Sequence, residues 1–371
     1  MRIGIDARMY GPQAATGIGN YIKNLTQNLF AVDQTNEYFL FMIEPQFSAF
    51  TPPNERVKKI KVDSPWYSWS EQLKLPFVYR HYNLDILHVP HFNVPIFYPG
   101  KMVTSIHDIT PKFFPGPVVS KSIIRKLGYN AVLRSAVYKS KSILVGSQHT
   151  KNEITKHFKV DESKIKVIPL GYDFAAAKQY LASPQQLVEK YKITKPFILY
   201  IGVWRDHKNL PGLITAFDII KEKFGLDYQL VLGGKADPSY PEIPLAINKA
   251  KYRQDIIVPG YIPEDELPNF YQHAKVFVLP SFCEGFGLVA LESATWGVPV
   301  AASNTTSVPE VLGPAGKYFN PHDPEEMARV VSEVATNENL HQNLVTLGYE
   351  QAKKYSWVET AKQTLAVYQA S

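Results

Sequence analysis

The sequence lacks most of what would tie it to redox, metal or membrane-spanning chemistry. It holds one cysteine, Cys283, in 371 residues, so neither an internal disulfide framework nor a cysteine-rich zinc site can be built. No Asp-x-Asp pair occurs, which removes the usual carboxylate pair for a metal–diphosphate complex. No run of about 18 apolar residues exists, so no membrane span is expected. The opening Met1–Asp6 reads as a strand and lacks the apolar stretch of a signal peptide. A cytoplasmic chain, soluble or peripherally bound, is expected. The G-x-G-x-x-G fingerprint and its acidic partner are missing, which argues against a dinucleotide-dependent oxidoreductase. The net charge of +6 and sequence pI near 9.0 permit an anionic substrate or lipid without demanding nucleic acid. No nucleic-acid recognition module is present.

What is present is ample apolar content, 45%, in a repeating rhythm. Short apolar runs at 3–5, 38–42, 86–89, 102–106 and 142–145 alternate with amphipathic stretches such as Tyr21–Phe30 and Ile123–Tyr138. After a less regular stretch over 170–195, read as a hinge, the rhythm restarts at 197–201, 229–232, 256–258, 276–279 and 298–301. This is the βαβ pattern of a parallel sheet, run twice. The expected fold is α/β, two Rossmann-like domains facing a cleft. The first covers 1–172 and the second 190–355. The final helical pattern breaks near Tyr355–Trp357, and Trp357 is the expected anchor where helix 356–371 returns to the first domain.

In such sheets ligands sit beyond the C-terminal ends of the strands, so residues just after strands are the ones to weigh. The most informative segment follows the run 276–279. In Pro280-Ser281-Phe282-Cys283-Glu284-Gly285-Phe286-Gly287-Leu288, continuing to Glu292, two carboxylates stand eight positions apart across a glycine-rich bend. The glycines allow close backbone approach, and the helix that follows offers free N–H groups to a phosphate. Alone, this is as well read as a β–α turn with two solvated acids. After the first strand, Gly17 and Gly19 precede a helix and suit an anion held by backbone amides; a flexible connection is an equal reading. After the run 197–201 come Arg205 and Lys208, cations able to neutralise a diphosphate. His107, followed by Asp108, ends another strand and either contacts a sugar hydroxyl or is a satisfied loop histidine. His88 and His91 end a third, where a metal site is the sharper but weakly supported alternative.

Taken in order, these pieces match a known family. Glu284-x7-Glu292 within Pro-Ser-x-x-Glu-Gly-Phe-Gly-Leu, followed by Gly297-x-Pro299-Val300, resembles the retaining glycosyltransferases of family 4, bacterial mannosyltransferases among them. Supporting matches run along the whole chain: Gly17-x-Gly19-x-Tyr21, His107-Asp108, Val145-Gly146-Ser147, Val167 through Asp173, Lys208-Asn209 and Val308-Pro309-Glu310-Val311. The resemblance implies the two-domain GT-B architecture and a nucleotide-diphosphate sugar donor, GDP-mannose first, with no separate cofactor or metal. It implies that Gly17 and Gly19 contact the donor diphosphate and that His107 contacts the donor sugar. Arg205 and Lys208 would balance the leaving diphosphate and Glu284 would touch the sugar hydroxyls. Phe286, Gly287 and Leu288 would offer backbone amides, and Glu292 would accept from the ribose. One position departs: Val203 stands where the family often carries Arg, which leaves open whether Arg205 reaches the same place. A sugar-nucleotide epimerase, a phosphorylase or a non-catalytic nucleotide-sugar binder would use the same fold.

The acceptor expected from the resemblance is a glycan or lipid-linked molecule in cell-surface polysaccharide synthesis. Two segments bear on it. Pro65–Leu75 is rich in aromatics, and 121–141 is basic with an apolar helical stripe. Either they rest on an anionic membrane at the inner face of the cell membrane, or the stripe simply packs on the sheet as βα helices do.

Overall fold

The computed structural model describes residues 1–11, 17–117, 122–172 and 183–371. Residues 12–16 of the first glycine-containing loop, Lys121 of the basic segment, and residues 173–182 of the expected hinge lie outside the described residues.

The chain divides into two compact units. One comprises Met1–Ile109, Val119–Gly171 and Ser356–Ser371; the other comprises Thr110–Val118 and Tyr172–Tyr355. In the first unit, β1 (Arg2–Asp6), β2 (Glu37–Met42), β3 (Val57–Lys61), β4 (Ile86–Val89), β5 (Met102–Ser105), β6 (Ser142–Val145) and β7 (Ile165–Val167) form a seven-stranded sheet. Its order is β3-β2-β1-β4-β5-β6-β7, and every pairing is parallel. In the second, β8 (Phe197–Ile201), β9 (Gln229–Gly233), β10 (Ile256–Gly260), β11 (Val276–Leu279), β12 (Val300–Ser303) and β13 (Gly316–Phe319) pair in parallel in the order β10-β9-β8-β11-β12-β13. Both are doubly wound Rossmann-like sheets.

The central strands are apolar throughout because helices cover both faces of a parallel sheet. Ile3, Ile5, Phe39, Leu40 and Phe41 are all buried, as are Ile198, Leu199, Val276, Phe277 and Val278. Three edge strands, β3, β7 and β13, have no counterpart among the apolar runs of the sequence. Each has one open edge and carries lysines there, among them Lys58 and Lys59, Lys166 and Lys317. Charge on an edge strand discourages pairing with another chain, and it breaks the apolar run that would otherwise reveal the strand.

Helix Gly17–Val32 buries Tyr21, Ile22, Leu25 and Leu29 on one stripe against the first sheet. The C-terminal pattern breaks over 353–356, between helices Glu338–Ala352 and Trp357–Ala370. The last helix packs on helix Gly17–Val32 and buries Trp357, Ala361 and Tyr368 in the core of the first unit. No helix among the described residues is long and apolar enough to cross a membrane.

Candidate active site

The winding of a doubly wound sheet reverses between two neighbouring strands, and the loops leaving them diverge to opposite faces, opening a crevice. In the second unit that pair is β8 and β11, aligned Ile198 to Val276 and Leu199 to Phe277. The loops leaving these two strands carry Arg205 to Lys208 and Ser281 to Leu288. Topology therefore brings together residues some 76 positions apart.

The junction is fixed by backbone. Asn209, buried and held at φ 53°, donates from Nδ2 to the Pro280 carbonyl at 3.1 Å and the Pro321 carbonyl at 2.7 Å. The Phe282 N–H donates to the His207 carbonyl at 2.8 Å. Lys208 Nζ then reaches Glu284 Oε1 at 2.7 Å. Ser281 Oγ donates to the same oxygen at 2.6 Å. The Glu284 backbone is pinned as well: its N–H donates to Thr306 Oγ1 at 3.1 Å, and its carbonyl accepts from Ser307 Oγ at 2.9 Å. Burial by itself would raise the Glu284 pKa. The Lys208 charge and the hydrogen bonds from Lys208 and Ser281 outweigh it, so the carboxyl lies below its ordinary value and is ionised at neutral pH.

Gly287 takes φ +86°, which a side chain would oppose, and so turns the chain into helix Leu288–Thr295. The N–H groups of Phe286, Gly287 and Leu288 are taken by no acceptor among the described residues, as expected at a helix start. The Phe286 ring is buried edge-on to Tyr355 at 5.5 Å. Glu292, one turn into the helix, has its pKa raised to about 7, first by burial and then by the nearby Glu264 carboxylate. Arg205 is exposed, and its side chain makes no ion pair or hydrogen bond among the described residues. Lys208 and Glu284 are thus joined directly, whereas Arg205 is not drawn into that network.

In the first unit the residues after β1, β4 and β5 gather around His107. Its ring meets Tyr21 edge-on at 4.6 Å, and Nε2 lies 3.0 Å from the Pro90 carbonyl. A carbonyl only accepts, so Nε2 carries the hydrogen and Nδ1 keeps its lone pair. Burial lowers the His107 pKa despite Pro90 and Asp108, so the ring is a neutral acceptor. Gly17 opens its helix and is exposed. Gly19 is buried, and a Cβ there would lie 2.3 Å from the Gly11 carbonyl; close packing accounts for that glycine.

His88 and His91 have other partners. His88 Nε2 contacts Ser105 Oγ at 2.9 Å and Nδ1 contacts the Tyr368 hydroxyl at 2.6 Å. His91 Nδ1 accepts from the Asn93 N–H at 3.3 Å. Burial pushes both down to about 3. No cluster of three or more metal-ligating side chains occurs among the described residues.

One network escaped the sequence reading. Arg8 is buried among Asp6, Glu71 and the Ser64 carbonyl, and Asn93 Nδ2 donates to both Glu71 oxygens at 2.8 and 2.7 Å. It ties the loops after β1 and β4 to segment 64–71. Its only signal was Asp6-Ala7-Arg8 at a strand end, and nothing nearby in sequence pointed to Glu71.

Two family profiles match the chain. One described as Glycosyltransferase Family 4 matches residues 15–176, and one described as glycosyl transferases group 1 matches residues 185–351. The chain belongs to the family 4 and group 1 glycosyltransferases. It is 28% identical over 372 residues to O-antigen chain mannosyltransferase B of Escherichia coli, spanning 95% of this chain and 96% of that protein. It is 29% identical over 291 residues to the serotype-specific mannosyltransferase WbdA of Escherichia coli, covering 77% of this chain and 35% of that longer protein. Among solved structures, sucrose-phosphate synthase from Thermosynechococcus elongatus matches at TM-score 0.78 and 18% identity, over 100% of this chain and 98% of that one. WaaG, a glycosyltransferase involved in lipopolysaccharide biosynthesis, matches at 0.75 and 15%, over 100% of both. At such identities the structural matches speak to the fold, which is GT-B. This transferase is a hexosyltransferase.

Proposed function

We propose that this transferase moves a mannosyl group from GDP-mannose to a glycan or lipid-linked acceptor in cell-surface polysaccharide synthesis, with retention of anomeric configuration. It works in the cytoplasm against the inner face of the cell membrane, as a peripheral protein. The end-to-end similarity to an O-antigen mannosyltransferase supports the sugar and the setting. The observation that carries the chemistry is the Lys208–Glu284 ion pair beside the free N–H groups of Phe286, Gly287 and Leu288.

In this reading the bond from the anomeric carbon to the β-phosphate oxygen breaks, and its electron pair leaves on the diphosphate. The acceptor hydroxyl oxygen bonds to that carbon from the same face, and its proton passes to the departing phosphate oxygen. Lys208, Arg205 and the helix-start N–H groups offset the developing negative charge without a divalent ion. Glu284 orients the sugar through its hydroxyls, and Glu292 accepts from the ribose.

The test pairs calorimetry against UDP-, GDP- and ADP-sugars with a transfer assay on Glu284→Ala. GDP-mannose should bind most tightly, and the variant should lose transfer while holding nucleotide affinity within a few-fold. Preference for another donor overturns the donor; undiminished transfer overturns the site.

A further inference from the structure

Helix Ile123–Lys139 has two apolar faces. Its core face, Leu133, Ala136 and Val137, is buried in the first unit. The other points outward: Ile123 is 80% exposed, Ile124 79%, Leu127 64% and Tyr138 52%. At 100° per residue these four fall within an arc of roughly 100°, centred about 140° from the buried face. The stripe that was free to pack on the sheet therefore does so only in part. The same pattern continues nearby. Apart from Met1 and Val358, every large apolar side chain exposed among the described residues of the first unit lies between Tyr67 and Tyr138, including Trp69 at 80% and Phe77 at 75%. Hydrogen bonds join these pieces into one surface. Gln72 is tied to Val94 and Ile96, and Lys139 Nζ donates to the Ile96 carbonyl.

Charge identifies what this surface meets. The first unit holds 22 Lys and Arg against 13 Asp and Glu, and the second 18 against 21. Most of the excess lies in 119–171, with 11 basic residues against 3 acidic. Arg125, Lys126, Arg134 and Lys139 are interleaved with the outward apolar side chains and are exposed. Exposed isoleucine, leucine and tryptophan beside dense lysine and arginine suit an interface of acyl chain and anionic headgroup. A protein partner would more often be met by a patch depleted in lysine.

We propose that the outward face of helix Ile123–Lys139, together with the Trp69–Phe77 segment, docks this transferase on an anionic lipid bilayer, with Ile123, Ile124 and Leu127 entering the headgroup–acyl boundary. This rests on the reading that it works against a membrane and names the surface that does so.

Flotation of the full chain with vesicles tests it, using phosphatidylcholine alone and phosphatidylcholine with one third phosphatidylglycerol. Transfer to a soluble acceptor is measured in parallel. Binding should appear with the anionic vesicles and weaken with salt. It should fall about fivefold for each basic charge removed, so Arg125→Glu with Lys126→Glu should lower it roughly 25-fold or more. Ile123→Glu with Ile124→Glu should abolish it while soluble transfer is kept. Equal flotation by wild type and the isoleucine variant overturns the proposal, as does no flotation of wild type. So does a change from dimer to monomer in that variant with vesicle binding intact, since the face would then join two copies. Loss of soluble transfer in wild type would instead count against the enzymatic reading.

Discussion

Replacing Lys208 with Met separates the electrostatics of the site from its packing. In the native protein the Lys208 and Glu284 side chains are only 15% and 11% exposed. Removing one partner of such a pair leaves the other charge buried and uncompensated, which costs 3–5 kcal/mol when burial is complete. Because some solvent reaches both groups, about 3 kcal/mol is expected here. For a cooperative unit of this size that corresponds to a fall in Tm of roughly 6–12 °C at neutral pH. The pH dependence is more diagnostic. Native Glu284 is held below its ordinary value, so its stabilisation is present above the ordinary carboxylate range and lost as pH falls through the folded value. Without Lys208, burial dominates and the folded value rises above the ordinary one. The sign then reverses: the variant gains stability relative to its own neutral-pH value as acid protonates Glu284. The deficit should be widest at pH 7–8 and shrink towards pH 5. Differential scanning calorimetry from pH 5 to 8 on wild type, Lys208→Met and Lys208→Arg reads this directly. Transfer should fall about 10²–10³-fold in the Met variant, the usual cost of losing one transition-state charge partner, and less in the Arg variant. A deficit that is constant across pH, or absent, would refute the assignment of the ion pair as the force that keeps Glu284 ionised.

Two further outcomes follow from the titrations and the buried network. Glu292 is raised to about 7 in the folded protein, so stability is full below its ordinary value and declines as pH rises through about 7. Glu292→Gln should match wild type near pH 4 and exceed it by about 1–2 kcal/mol at pH 8, a figure reduced for the solvent that reaches this carboxyl. If Glu292 accepts from the ribose, GDP affinity should climb through pH 7 in wild type and stay flat in the variant; parallel profiles count against that role. Tyr368→Phe leaves the buried His88 Nδ1 without its 2.6 Å partner and should cost about 1–3 kcal/mol. Faster proteolysis of the C-terminal helix would report it, and an unchanged cleavage rate would show that the hydroxyl does not hold that helix.

Much of this protein was determined by local pattern. Parallel strands covered on both faces must be continuously apolar, so the central strands of both sheets stood out, and the break at 353–356 ended one helix where the residues stopped suiting it. Glu284, Gly287 and Glu292 were legible because their spacing lies within a single β–α turn. Residues further apart needed the fold. That Lys208 meets Glu284 depends on β8 and β11 being neighbours, which strand order decides and composition does not. Glu71 lies 63 positions from Arg8 and had no local mark, and Asn209 gave no sign that it would clamp two prolyl carbonyls. Edge strands β3, β7 and β13 escaped notice because charge, which protects an open edge, erases the apolar run. For helix Ile123–Lys139 the sequence supplied an amphipathic pattern with two possible burials. Only the packing of Leu133, Ala136 and Val137 decided which face turned inward, because a helix can give one stripe to a sheet and must leave the opposite one to whatever surrounds it.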